Sequence, residues 1–341
     1  MRAIGAIRHY PVDHPDFLVE FDAPVPAVAG HDVLVRLRAV AVNPVDTKVR
    51  RALADGPHDP PRVLGWDGAG VVEAVGPEAR RFFAPGDEVF FAGDLGRAGC
   101  NAELACVDAR VVARMPTSRD FAAAAALPLC TLTAWELLFE RMRVPAGDRA
   151  AAESGPLLVI NGAGGVASAL VPLACHAGLE VVASASRQQS IDWARRLGAA
   201  VTIDHHTPLR AQCEAHGFRE FPWIANLHDP ATHWPQTADL LAPFGVLGLV
   251  VEPSGPLALG DPLKAKCASI VWEFMAARTR FHTPDIARQG KILAQAAALH
   301  DAGILPPIHT RVLHGLSVEN LRLAHREMEA GTAIGKWVIE L

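Results

Sequence analysis

From residue 157 to about 251 the chain alternates short apolar runs with stretches of helical length. Leu157-Leu158-Val159-Ile160 leads into a glycine-rich turn and a helix that runs to about Gly178. A second strand is expected over 180–186, a helix over 188–198, and further strands over 200–204, 221–227 and 245–251. Apolar strands separated by helices of this length imply βαβ units and a parallel sheet. Before residue 125 the period shortens to two. Residues 33–42 alternate, as does the stretch ending at Gly76, and turn signals fall between them at Asn43-Pro44, Asp59-Pro60-Pro61 and Ala84-Pro85-Gly86-Asp87. That texture predicts antiparallel strands joined by tight turns. Helix formers fill 121–142, with a break expected near Pro128. After Pro284 the pattern predicts a helix over 286–302, a short strand at 310–313, a helix over 317–330 and a closing strand.

A chain of 341 residues is long enough for two domains. Half its residues are hydrophobic and 20% are charged, which suits a large buried core and argues against long disordered tails. A net charge of -5 with no basic tract gives no footprint for nucleic acid. The first residues lack the apolar core of a signal peptide, and no apolar run reaches membrane-spanning length. Cysteines stand at 100, 106, 130, 175, 213 and 267 with no Cys-x-x-Cys pair, so reduced thiols in a cytoplasmic protein are expected.

The sharpest motif is the turn after residue 160. Gly162, Gly164 and Ala167 satisfy G-x-G-x-x-(G/A), with Ala163, Gly165 and Val166 between them. In such a turn the first glycine permits the tight bend. The second lets backbone approach a pyrophosphate, and the last small residue lets helix pack on sheet. Free N–H groups at the helix start then face the phosphates. A site for NAD carries Asp or Glu about 20 residues on, to hold the ribose 2′-OH. Here Ser184-Ala185-Ser186-Arg187 stands instead, and a hydroxyl with a guanidinium suits a 2′-phosphate. The dinucleotide expected is NADP(H), with Ser186 and Arg187 on its extra phosphate.

Several further stretches make a resemblance specific: AVNPVDTKVR (41–50), VLGWDGAGVVEAVG (63–76), PGDEVFFAG (85–93), LTAWELL (132–138), LGAAVTIDH (197–205), PLKAKCASIVWEFM (262–275) and Gly335-Lys336. With the glycine turn, they resemble the quinone oxidoreductase branch of the medium-chain dehydrogenase/reductase superfamily, which also contains zinc alcohol dehydrogenases. In particular they resemble a subgroup often labelled zinc-binding alcohol dehydrogenase family protein. The resemblance implies an α/β protein in which a doubly wound parallel Rossmann sheet accompanies a GroES-like, β-rich catalytic domain. The expected domains are 1–128 with 283–341 for the catalytic part and 129–282 for NADP(H). It further implies that Asn43 and Thr133 lie near the nicotinamide and its ribose, His205 near the adenosine end, and Leu227 and His228 along a cofactor cleft, with Lys336 also at the cofactor.

Zinc members of that superfamily carry a Cys in the turn where this chain has Asn43-Pro44-Val45-Asp46, and Gly-His-Glu where it has Gly65-Trp66-Asp67. They also have four close cysteines where only Cys100 and Cys106 stand. Neither a structural nor a catalytic zinc set assembles from these residues. The adjacent His205 and His206 are expected to point apart, and no His-x-x-x-His occurs, so no metal is expected. Without a metal to polarise a simple carbonyl, the favoured acceptor is one that delocalises the incoming charge by conjugation. That points to hydride transfer from NADPH to a quinone or α,β-unsaturated carbonyl. Asn43, Lys48 and Thr133 are the candidate donors to the developing oxyanion. Lys48 has two plainer readings, pairing with Asp46 or sitting in solvent. Asp46 and Asp67 are expected to hold loop architecture. Two alternatives stay open: a zinc-type alcohol dehydrogenase with atypical ligands, and a non-catalytic NADPH-binding protein. A homodimer through the edge strand at 265–272 follows from the resemblance alone, and an aldehyde also stands among the expected small-molecule substrates.

Overall fold

A computed structural model describes residues 1–53 and 56–341. The chain divides into two units. One comprises Met1–Leu132, Ala276–Gly303 and Pro307–Leu341, and the other Thr133–Met275 with Ile304–Pro306.

The second unit is built on a six-stranded sheet whose spatial order is Val201–Ile203, Val181–Ser184, Leu157–Ile160, Phe221–Asn226, Leu241–Leu249, Ser269–Trp272. Every pairing in it is parallel. Numbered along the chain this is the doubly wound order 3-2-1-4-5-6, with its topological switch between the first and fourth strands. Apolar side chains face both ways because helices cover the sheet. Leu158, Ile160, Val182, Phe221, Ile224, Leu247 and Trp234 belong to one buried core cluster. The 121–142 stretch is three pieces: Phe121–Ala125, Pro128–Trp135, and a π turn over Glu136–Arg141. Pro128 opens the second piece, where its missing N–H costs nothing.

The first unit carries a seven-stranded sheet, antiparallel except for one pair, and a small three-stranded sheet. The long strand Asp32–Val42 is its spine. It pairs with Asp67–Val75, Leu104–Asp108 and the closing strand Lys336–Glu340. Two of these registers matter below: Ala41 opposes Asp67, and Val42 opposes Trp337. The first residues of two strands therefore come together beside the end of a third. One expectation needs correcting here. Asn43-Pro44 does not begin a bare turn but an eight-residue helix, Pro44–Arg51, with Asn43 as its cap. Pro at the first helical position and Asp three residues past an Asn cap were the available signals. Among the described residues no helix is long and apolar enough to cross a membrane.

Candidate cofactor and active site

In the first unit, Lys336, Asp67 and Asn43 form a closed network of buried groups. The ammonium donates to Val42 O at 3.2 Å, to Asp67 Oδ2 at 2.8 Å, and to Asn43 Oδ1. Its three protons therefore all have acceptors. Asp67 Oδ2 also accepts from Asn43 Nδ2 at 2.8 Å, and Oδ1 accepts the Leu129 N–H at 2.7 Å. Asp67 is 0% exposed and Lys336 2%. Burial works against the ammonium, but Asp67, with Cys130 and Asp46 beside it, more than offsets that and holds Lys336 above its ordinary range.

Asp46 sits one helical turn in. Its Oδ2 accepts the Asn43 N–H at 2.9 Å, while the equally buried Oδ1 has no partner. Burial pushes its carboxyl up to about 7, against the lowering effects of the Asn43 N–H and Lys336. Lys48 lies exposed on the same helix, and Thr133 is buried in Pro128–Trp135.

These residues do not fit zinc. Trp66 is fully buried and gives its indole N–H to Asp94 O at 3.0 Å. The charge of Asp67 is already met by Lys336. Cys100 and Cys130 are both buried, and burial raises each thiol, Cys130 to about 11. Among the described residues, no group of three or more His, Cys, Asp or Glu side chains is placed to hold a metal ion.

In the second unit, the glycine turn joins the Leu157–Ile160 strand to the helix Gly165–His176, capped by Gly164. The left-handed residue is Asn161, with φ 66°, and not Gly162 as the motif suggests. Asn tolerates that conformation better than most residues. Gly162 is required for another reason. A Cβ there would stand 2.6 Å from Ala183 Cβ on the next strand. Its N–H donates to Ser184 O at 2.8 Å, and Asn161 N–H donates to Ser184 Oγ at 2.9 Å, so the turn is stitched to the second strand. A Cβ on Gly164 would meet only the Asn161 side chain, at 3.3 Å for its nearest atom. Ala167 is 0% exposed.

Beyond the second strand, Ser186 Oγ lies 3.3 Å from His205 Nε2, and Arg187 caps the helix Gln188–Arg196 with its side chain exposed. No carboxylate occupies 184–187, so this edge of the sheet fits a dinucleotide bearing an extra phosphate. Leu227 is buried and its N–H donates to Ile160 O at 3.2 Å; His228 follows it, exposed. The expectation that His205 and His206 point apart is corrected, since their rings meet edge-on with centroids 4.5 Å apart. A loop after a short strand allows what adjacent strand positions would not.

Residues 29–117 match the alcohol dehydrogenase GroES-like domain, and 197–339 match the zinc-binding dehydrogenase family. Over 341 residues, the full length of both chains, the sequence is 34% identical to a zinc-type alcohol dehydrogenase-like protein of Staphylococcus epidermidis. The chain belongs to the medium-chain dehydrogenase/reductase superfamily. It is an oxidoreductase by family. An Escherichia coli quinone oxidoreductase, 19% identical, shares the fold with a TM-score of 0.81 over the full length of both chains. A structure from Rhizobium etli CFN 42, provisionally described as a zinc-dependent alcohol dehydrogenase, is 42% identical and superposes with a TM-score of 0.93, covering 100% of this chain and 98% of that one. Another superfamily member, an NADPH-dependent alkenal/one oxidoreductase of Arabidopsis thaliana, is 37% identical over 196 residues, which is 55% of this chain and 48% of that protein. For this dehydrogenase/reductase, the pairing of Lys336 with Asp67 was invisible in the sequence, and so was His233 beside His205.

Proposed function

We propose that this protein is an NADPH-dependent reductase that delivers hydride to a quinone or an α,β-unsaturated carbonyl without a bound metal. The carrying observation is the edge of the second strand, where Ser186 and Arg187 stand beside the glycine turn and no carboxylate opposes a 2′-phosphate. Gly162, Ala163, Gly164, Gly165 and Val166 would hold the pyrophosphate against the start of Gly165–His176. Leu227 and His228 would flank it, with His205 at the adenosine end. When bound, NADPH supplies the hydride.

The remaining chemistry belongs to side chains. Asn43 is engaged by Asp67 and Lys336, so it serves as a positioning residue that fixes the start of its helix, and Lys336 supports it in turn. Lys48 and Thr133 are the proposed donors to substrate oxygen or ribose. No donor set here fits a Lewis-acidic zinc. A conjugated acceptor, which spreads the incoming charge itself, is therefore the better match. The name of the Arabidopsis relative supports the same class. The reading includes a cytoplasmic homodimer formed through Ser269–Trp272, the outer strand of the parallel sheet, on which Trp272 is half exposed.

The test is NADPH oxidation followed against a panel of quinones, enones and aldehydes, with NADH in parallel and zinc measured on the same preparation. Turnover of quinones or enones with NADPH preferred is expected. One tightly held zinc per chain with alcohol oxidation, or no turnover of any acceptor, would overturn it in favour of an alcohol dehydrogenase or a cofactor-binding protein respectively.

A further inference from the structure

Four imidazoles converge beyond the carboxyl ends of Val201–Ile203 and Phe221–Asn226, one of them, His233, from the helix Pro230–Leu240. His205 and His206 have ring centroids 4.5 Å apart, His205 and His233 6.0 Å, and His228 and His233 6.5 Å. Ser186, proposed above to meet the extra phosphate, touches His205 directly at 3.3 Å. The cluster grades from buried His233 through half-buried His205 to His206 and His228 at the surface.

The charged groups facing it are few. Arg187 comes from the cap of Gln188–Arg196, Asp204 from the strand end, and Asp229 from the cap of Pro230–Leu240. Both carboxylates are engaged with backbone. Asp204 Oδ1 accepts the His206 N–H at 2.9 Å, and Asp229 Oδ1 accepts those of Ala231 at 2.9 Å and Ser254 at 3.1 Å. Burial lowers His205 and His233 below the ordinary histidine range. The neighbouring imidazoles lower both further, as does Arg187 for His205, while Asp204 pulls His205 up. Each proton the cluster takes up therefore opposes the next, and an anion among the rings would reverse that.

We propose that His205 and His233, with His206 and His228 packed against them, form a proton-linked receptor for the 2′-phosphate of NADPH, the cluster taking up protons from solvent as the phosphate dianion docks beside Ser186 and Arg187. This rests on the NADPH reading above and deepens it. Groups whose protonation is suppressed in the free chain and favoured in the complex tighten binding as pH falls, by up to about tenfold per pH unit for each linked proton. The phosphate's own second ionisation, near pH 6, sets the lower end of that window. NADH carries no such phosphate, so its binding draws no linked proton onto the cluster.

The experiment titrates the full chain calorimetrically with 2′,5′-ADP and 5′-AMP, and with NADPH and NADH, at about pH 6.5 and about pH 8, in two buffers of different ionisation enthalpy. The phosphorylated ligands are expected to tighten roughly tenfold toward the lower pH with uptake of about one proton, while 5′-AMP and NADH stay flat. His205→Gln should shrink both the slope and the proton uptake. So should His228→Gln, a surface change that spares the core. Equal slopes for 2′,5′-ADP and 5′-AMP would overturn the receptor, as would a full wild-type slope in both variants. A preference for the phosphorylated ligands without any slope would sink the histidine receptor and leave the NADPH reading standing. Tighter binding of 5′-AMP and NADH at both pH values would remove the NADPH reading and the receptor with it.

Discussion

Replacing Lys336 by Met tests whether the buried charge network holds the first unit together. Met keeps the volume of the aliphatic stem and removes the ammonium, leaving Asp67 fully buried with two donors, Asn43 Nδ2 and Leu129 N–H, and no counter-charge. Breaking one side of a buried pair in this way costs about 3–5 kcal/mol, because a carboxylate is left uncompensated where water cannot reach it. Against a total of about 5–15 kcal/mol, that is a large share of the stability. The double variant Lys336→Met with Asp67→Asn behaves differently. The amide that replaces the carboxylate is uncharged, its oxygen can still take the Leu129 N–H, and its NH₂, standing where Oδ2 faced the Asn43 NH₂, can donate to Asn43 once that amide, released by Lys336, flips its oxygen inward. The double variant is therefore expected within about 1–2 kcal/mol of the natural chain, and more stable than Lys336→Met alone. Urea unfolding of the natural chain and of the two single and one double variants gives the coupling directly. Additive losses, with the double variant the weakest, would refute the claim that uncompensated charge is what the single change costs.

Three further outcomes are expected. Asp46 has its folded-state carboxyl lifted to about 7 from an ordinary 3.8, so stability should decline as pH rises between those values and level off above; Asp46→Asn, which keeps the oxygen for the Asn43 N–H, should flatten that decline and stabilise the chain at about pH 8 by at most about 4 kcal/mol, read by urea midpoints across pH. His325 is fully buried against Phe17 and near Arg50, and burial brings it down to about 3, so stability should be lost as pH falls from about 6.5 toward 3; thermal scans of His325→Leu should lack that acid-side loss. Gly162→Ala places a methyl 2.6 Å from Ala183 Cβ, and should cost about 1–3 kcal/mol and weaken NADPH binding together, whereas Gly164→Ala, which meets only the Asn161 side chain, should be milder in calorimetry and titration alike.

The sequence carried the second unit more legibly than the first. Each βα repeat is local, so apolar runs, a glycine turn and a helix within some 25 residues announce themselves by period alone. The spatial order 3-2-1-4-5-6 did not, since it depends on where crossovers land. In the first unit the decisive contacts join distant positions. Asp67 and Lys336 are 269 residues apart, and only the registers Ala41–Asp67 and Val42–Trp337 set them side by side. Asn43 was singled out by its motif, but its commitment to Lys336 and Asp67 was not legible. The helix it caps was hidden because Asn-Pro reads equally as a turn. His205 and His206 misled for a simpler reason: alternation holds on a strand, and they follow one.

In zinc members, by the resemblance, the turn at Asn43-Pro44-Val45-Asp46 and the positions of Trp66 and Asp67 belong to the metal site. In this chain an indole fills the core at one of them, and the others are tied to an ammonium with every proton already donated. A saturated Lys336 supplies charge to Asp67 and has no proton left to polarise a carbonyl. Rebuilding a metal site would require breaking a buried pair at a cost of about 3–5 kcal/mol before any ligand could turn toward the ion. The would-be metal site is thus committed to a buried charge pair, which is the ground for proposing an acceptor that stabilises its own charge by conjugation.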